Sequence, residues 1–188
     1  MLAGNLMNSG GLNKRILNFT NALIGWISGS LAMVTVVASA FFAALTGSGV
    51  ATASAIGGIT IPAMKEEGYP TPFSAAVVAS SAVLGPIIPP SIPLIVYGSA
   101  LSMSIADLFM GSLVPGLLSA IALLGLVYFI AKRKGYAKHA RQSSREIWVA
   151  FKEGIWALLM PLIVLGGIFS GFFTPTEAAC VSVVYVAF

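Results

Sequence analysis

Charge is scarce in this sequence. Only 9% of its 188 residues are Asp, Glu, Lys or Arg, where a soluble domain carries roughly a quarter, so a solvated surface of the ordinary kind cannot be assembled. Histidine and cysteine occur once each, as His139 and Cys180. A single thiol excludes a disulfide framework within the chain, and a single imidazole in a basic stretch reads as a solvated loop residue, not a metal ligand. Cys180 lies in an apolar run and is expected to be buried and inert. GxSxG and HExxH are both missing, and GSGVATAS lacks the lysine of a phosphate loop. No enzyme, no transition metal and no organic cofactor are expected.

What fills the sequence is apolar: 57% of residues are hydrophobic and the mean hydropathy is +0.95. Residues 16–46, 68–106, 108–131 and 154–176 carry no charge, and each run exceeds the roughly 20 residues that cross a bilayer as helix. The fold class is an all-α membrane protein, a polytopic helix bundle, with the bilayer as its main solvent. No cleavable signal peptide is visible, because Lys14 and Arg15, the first charges, come too late for one.

The net charge of +4 does not point to nucleic acid. Six of the ten basic residues, Lys132, Arg133, Lys134, Lys138, Arg141 and Arg145, fall between two apolar runs. That is the positive-inside pattern, which puts 132–153 in the cytoplasm as an amphipathic connection, with Trp148, Phe151 and Trp156 at the interface and anionic-lipid contact as a consequence. Residues 113–131 then form one span and 154–173 another.

Residues 73–112 are too long for one simple span and are interrupted by LGPIIPPSIP at 84–93. Four prolines and a glycine in ten residues remove backbone donors and forbid a continuous helix. Half-helices over about 73–84 and 94–111, joined by an unwound segment, are expected. Upstream, Lys14 and Arg15 argue for a cytoplasmic start, and Lys65, Glu66 and Glu67 return the chain to that side. Residues 31–64 therefore make an even number of crossings, as two very short spans or as a re-entrant hairpin with its tip at 47–53. The small residues of TGSGVATASAIGGITIP, 46–62, favour the hairpin. Near the end, residues 174–188 start a new helix, with Thr174 as N-cap, Pro175 at the first helical position and Glu177 three residues after the cap. Glu177 reads as a capping residue ahead of an ion or proton ligand.

Unwound backbone at membrane depth leaves polar groups that protein, water or a ligand must satisfy. At the tip and the break, freed carbonyls with the hydroxyls of Ser48, Thr52 and Ser91 are hard neutral oxygen donors suited to a small hard cation. Helix N-termini at the same place suit a carboxylate. The competing reading is close helix packing, which small residues also serve.

Six stretches, AGNLMNSGGL (3–12), TGSGVATASAIGGITIPAMKEEGY (46–69), GPIIPPSIPLIVYG (85–98), SIADLFMGSLVPGLL (104–118), YFIAKRKGY (128–136) and GGIFSGFFTPTEAA (166–179), resemble in the same order the large membrane subunit of tripartite ATP-independent periplasmic (TRAP) transporters. More distantly, the chain is similar to divalent-anion sodium symporters. The resemblance implies sodium-driven import of an organic acid, such as a C4-dicarboxylate or sialic acid, across the bacterial inner membrane. It also implies two partners, a small four-helix membrane subunit and a periplasmic binding protein that delivers the substrate. The implied fold is an elevator-type transporter of two inverted repeats, of which this chain resembles about one. Residues 14–30 and 137–156 would be arm helices, 31–64 the first hairpin and 73–112 the broken helix facing it. Ser48, Gly49, Thr52, Gly85, Pro89 and Ser91 are the candidate sodium-site residues, and Ser48, Gly49, Pro90 and Ser91 the candidate lining of the substrate cleft. Family members are roughly twice as long, so this incomplete domain is not expected to transport alone. A single-protein sodium/anion symporter and a non-transporting membrane scaffold are the alternatives.

Overall fold

A computed structural model describes residues 12–136 and 143–187. The motif at 3–11, the middle of the basic connection with His139, and the side chain of Trp156 lie outside the described residues. Among the described residues the chain is helical, as a bilayer demands of any segment that must satisfy its own backbone. In order, the helices are α1 (Leu12–Ile24), α2 (Ser30–Thr46), α3 (Gly49–Glu66), α4 (Thr71–Ala82), α5 (Leu84–Ile87), α6 (Ile92–Ala100), α7 (Ile105–Lys134), α8 (Ser144–Phe169) and α9 (Pro175–Ala187). Two stretches, Thr71–Ala100 and Ile105–Lys134, are long and apolar enough to cross a membrane, and the two halves of α8 would add a third. The chain is a multi-pass helical membrane protein.

Helix α1 is amphipathic. It buries Ile16, Leu17, Phe19 and Thr20 while Arg15 and Asn18 stay exposed. Its apolar face lies antiparallel along α8: Ile16 shares a core cluster with Met160, and the rings of Phe19 and Phe151 are 5.8 Å apart. Gly29, at φ 73°, turns the chain from α1 into α2. A side chain there would strike Ala131 of α7, so glycine is required both by conformation and by space.

Helices α2 and α3 form a hairpin. Thr35 Oγ1 lies 3.8 Å from Met64 Sδ at one end, and Thr46 Oγ1 lies 3.4 Å from Thr52 Oγ1 at the other. The connection is only Gly47 and Ser48, shorter than the expected tip at 47–53. Ser48 Oγ accepts from Ala51 N at 3.4 Å and caps α3, so Val50–Ala53, which read as loop by their size, are already helical.

The proline-rich segment does break its helix, but the unwound part shrinks to 88–91 between the short α5 and α6. The expected half-helix boundary near 112 is replaced by a turn at 101–104. Ser102 takes φ 52° there, and Ser104 Oγ accepts from Asp107 N at 3.3 Å to start α7. A Ser-x-x-Asp cap thus sets the start of the span at 105 instead of 113, and α7 extends to Lys134.

The boundary expected at 153/154 likewise falls inside a helix. Helix α8 starts at a reciprocal cap in which Ser143 N donates to Glu146 Oε2 at 2.7 Å, and it bends by 54° between 144–155 and 159–169. Cys180 is exposed on α9, not buried. Ala178 and Ser182 form the buried face of that helix, and Cys180 points away from them.

Candidate functional site: the hairpin tip on the broken helix

The two irregular places of the fold meet. Gly47 ends α2 in the left-handed region at φ 61°, its N–H donating to Ala43 O at 2.8 Å. The Gly47 carbonyl then accepts from Ile92 N, the first residue of α6, at 3.2 Å. A Cβ at 47 would lie 2.5 Å from Pro90 O and 3.1 Å from Ser91 Cα. Two neighbouring glycines complete the contact from both sides. A Cβ on Gly85 would come within 2.7 Å of Gly49 N and Ser48 C, and one on Gly49 within 2.9 Å of Ala82 O. Glycine at 47, 49 and 85 is therefore what lets the hairpin backbone lie directly on the backbone of the break.

The hydroxyls around this contact are committed to neighbouring carbonyls. Thr52, fully buried, donates from Oγ1 to Ser48 O at 2.8 Å, and Thr46 Oγ1 donates to Phe42 O at 3.1 Å. Ser91, also fully buried, donates from Oγ to Pro86 O at 2.7 Å and accepts from Leu94 N at 3.4 Å as cap of α6. A carbonyl can only accept, so the hydroxyl proton points at it and the oxygen keeps a lone pair free. Such oxygens suit a hard cation, and the N-termini of α3 and α6, each capped by a serine, bring amide donors and a positive dipole end.

Of the predicted residues, Ser48, Gly49, Gly85, Pro90 and Ser91 converge on this contact, and Thr52 stands one turn along α3. Pro89 is buried within the break itself. Thr174 and Glu177 stand apart, at the exposed turn between α8 and α9: Thr174 N donates to Glu177 Oε2 at 2.8 Å, and Glu177 N donates to Thr174 Oγ1 at 3.3 Å. Helix α9 begins at Pro175. Sequence reasoning left out Thr46, which links to both Thr52 and Ser48 N. The signal was its position one residue before the turn glycine.

The family described as "Tripartite ATP-independent periplasmic transporter, DctM component" matches residues 1–188. Across 188 residues, the whole chain, it is 45% identical to the sialic acid TRAP transporter large permease protein SiaM of Vibrio cholerae and covers 44% of that protein. Identity is 44% over 188 residues to the C4-dicarboxylate TRAP transporter large permease protein DctM of Pseudomonas aeruginosa, again 44% of its length. It is 40% over 188 residues to the 2,3-diketo-L-gulonate TRAP transporter large permease protein YiaN of Escherichia coli, covering all of this chain and 44% of that protein. The chain spans less than half the length of these curated relatives.

Proposed function

Because the chain belongs to the DctM component of the tripartite ATP-independent periplasmic transporters, we propose that it forms part of the membrane permease of a sodium-driven uptake system for an organic acid. The observation that carries this reading is the seating of the Gly47–Ser48 tip on the 88–91 break, closed by the hydrogen bond from Ile92 N to Gly47 O. Unwound backbone, buried hydroxyls and two helix N-termini at one point are the ingredients of a transporter binding site. Sodium is the coupling ion, taken up through neutral oxygens of Ser48, Thr52 and Ser91 and the carbonyls of the break. The substrate carboxylate faces the N-termini of α3 and α6. Related permeases are named for sialic acid, C4-dicarboxylates and 2,3-diketo-L-gulonate, which supports an organic acid as the class and no single member of it.

The working system includes a small membrane subunit and a periplasmic binding protein, and it sits in the bacterial inner membrane with 132–153 on the cytoplasmic side. Sodium-dependent uptake by the complete system is the test. Ser48→Ala and Thr52→Ala should each raise the sodium concentration needed for half-maximal uptake; an unchanged sodium response in both variants would remove the site assignment.

A further inference from the structure

The basic end of α7 carries an arrangement separate from the contact between the hairpin tip and the 88–91 break. Lys132 Nζ lies 5.8 Å from the centre of the Tyr128 ring, and the Arg133 guanidinium lies 5.6 Å from that of Phe129. Each cation leans back one helical turn over a ring, a contact that favours the charged form near an apolar surface. The rings point outward: Tyr128 is 38% and Phe129 60% exposed, while Val127 and Ala131 on the opposite side are buried. The same outward side of α7 continues as exposed Leu117, Leu118 and Ile121, a surface for acyl chains. The cations are thus held over the outward, apolar side of the helix instead of extending past its end. Along α7 and the connection that follows it no Asp or Glu occurs between Asp107 and Glu146; the acidic Glu67 lies beside Tyr69 on the Tyr136 side of the helix end, where Val127 is buried. The pattern recurs beyond the connection, where Lys152 Nζ lies 5.7 Å from the Trp148 ring centre.

We propose that the last turns of α7 form a binding site for an anionic phospholipid, whose phosphate pairs with Lys132 and Arg133 while its glycerol and upper chains lie against Tyr128 and Phe129. A zwitterionic lipid carries its own ammonium and gains less from these two cations.

The test is native mass spectrometry of the full chain released from nanodiscs containing phosphatidylglycerol and phosphatidylcholine of matched chain length. Phosphatidylglycerol should be retained preferentially. Lys132→Gln with Arg133→Gln should weaken that retention about twenty-fivefold, about fivefold for each charge removed, and the charge-keeping pair Lys132→Arg with Arg133→Lys should preserve it. Lys65→Gln, which removes an exposed cation at the end of α3, should leave it unchanged. Equal retention of the two lipids would overturn the site. A loss in Lys65→Gln equal to that in the double variant would overturn it in favour of general charge attraction.

Discussion

Gly85 lies directly beneath the peptide that joins Ser48 to Gly49: a methyl group at 85 would sit 2.7 Å from Ser48 C and 2.9 Å from Ser48 O. The neighbours are backbone atoms of a capped helix start, so they cannot rotate away as a side-chain end would. Together with Gly47 and Gly49, Gly85 thus lets the hairpin and the break lie backbone to backbone in register.

Gly85→Ala should separate the two elements. Overpacking against backbone costs about 1–3 kcal/mol, and we expect a lowered unfolding temperature together with strongly reduced uptake by the complete system. Gly58→Ala is the matched control, because Gly58 has open space around its Cα and alanine is the better helix former by roughly 1 kcal/mol. Thermal unfolding in detergent and sodium-dependent uptake, measured on both variants, should move in opposite senses for stability, with activity affected only at 85.

At Gly47 conformation and space act together. Its φ of 61° costs an alanine about 1–2 kcal/mol, and the added methyl would meet Pro90 O. Gly47→Ala should destabilise by more than Gly68→Ala, a substitution at φ 82° with nothing within 4 Å. The difference between the two unfolding free energies isolates the contact with the break.

How far the site was legible in the sequence follows from these residues. Glycine and proline announce broken backbone locally, so the tip and the break could each be read from their own composition. Their registration could not, because nothing in the periodicity of α3 or α4 says that Gly85 must underlie Ser48. Helix ends failed where charge-free runs were used as rulers: residues 108–131 suggested a span starting near 113, while the cap that sets the start is Ser104 with Asp107 N. The short tip was missed for the converse reason. Small residues at 50–53 resemble a loop until Ser48 is recognised as an N-cap, which lets helix begin at once.

Tyr69, in the connection between α3 and α4, is 2% exposed and packs on Tyr136 with ring centres 4.3 Å apart. Burial first, and then the charge of nearby Glu67, push its phenol up to about 12 from 10. The amides of Leu31 and Ala32 oppose this weakly, without reaching hydrogen-bond geometry. The folded state therefore favours the neutral phenol. Its contribution is full below pH 10 and is lost as pH rises from about 10 to about 12. In unfolding scans between pH 8 and pH 12, Tyr69→Phe should lose less stability across that window than the unmodified chain.

Glu177 separates a capping role from an ion-binding one. One of its carboxylate oxygens, Oε2, accepts from both Thr174 N at 2.8 Å and Thr174 Oγ1 at 2.9 Å. A glutamine side-chain oxygen can accept the same two bonds, and glutamine serves the reciprocal cap as well as glutamate does. Alanine cannot, and losing such a cap costs about 0.5–2 kcal/mol. A cation ligand behaves differently, because removing the negative charge weakens the site even when the oxygen remains. If Glu177 only caps α9, Glu177→Gln should keep both the unfolding temperature and the sodium dependence of uptake, while Glu177→Ala should lower the unfolding temperature and leave the sodium dependence alone. A rise in the sodium requirement in Glu177→Gln, at unchanged stability, would transfer this carboxylate from the cap to the ion pathway. The geometry favours the first outcome, since both Thr174 bonds converge on the same oxygen and orient it toward the helix start.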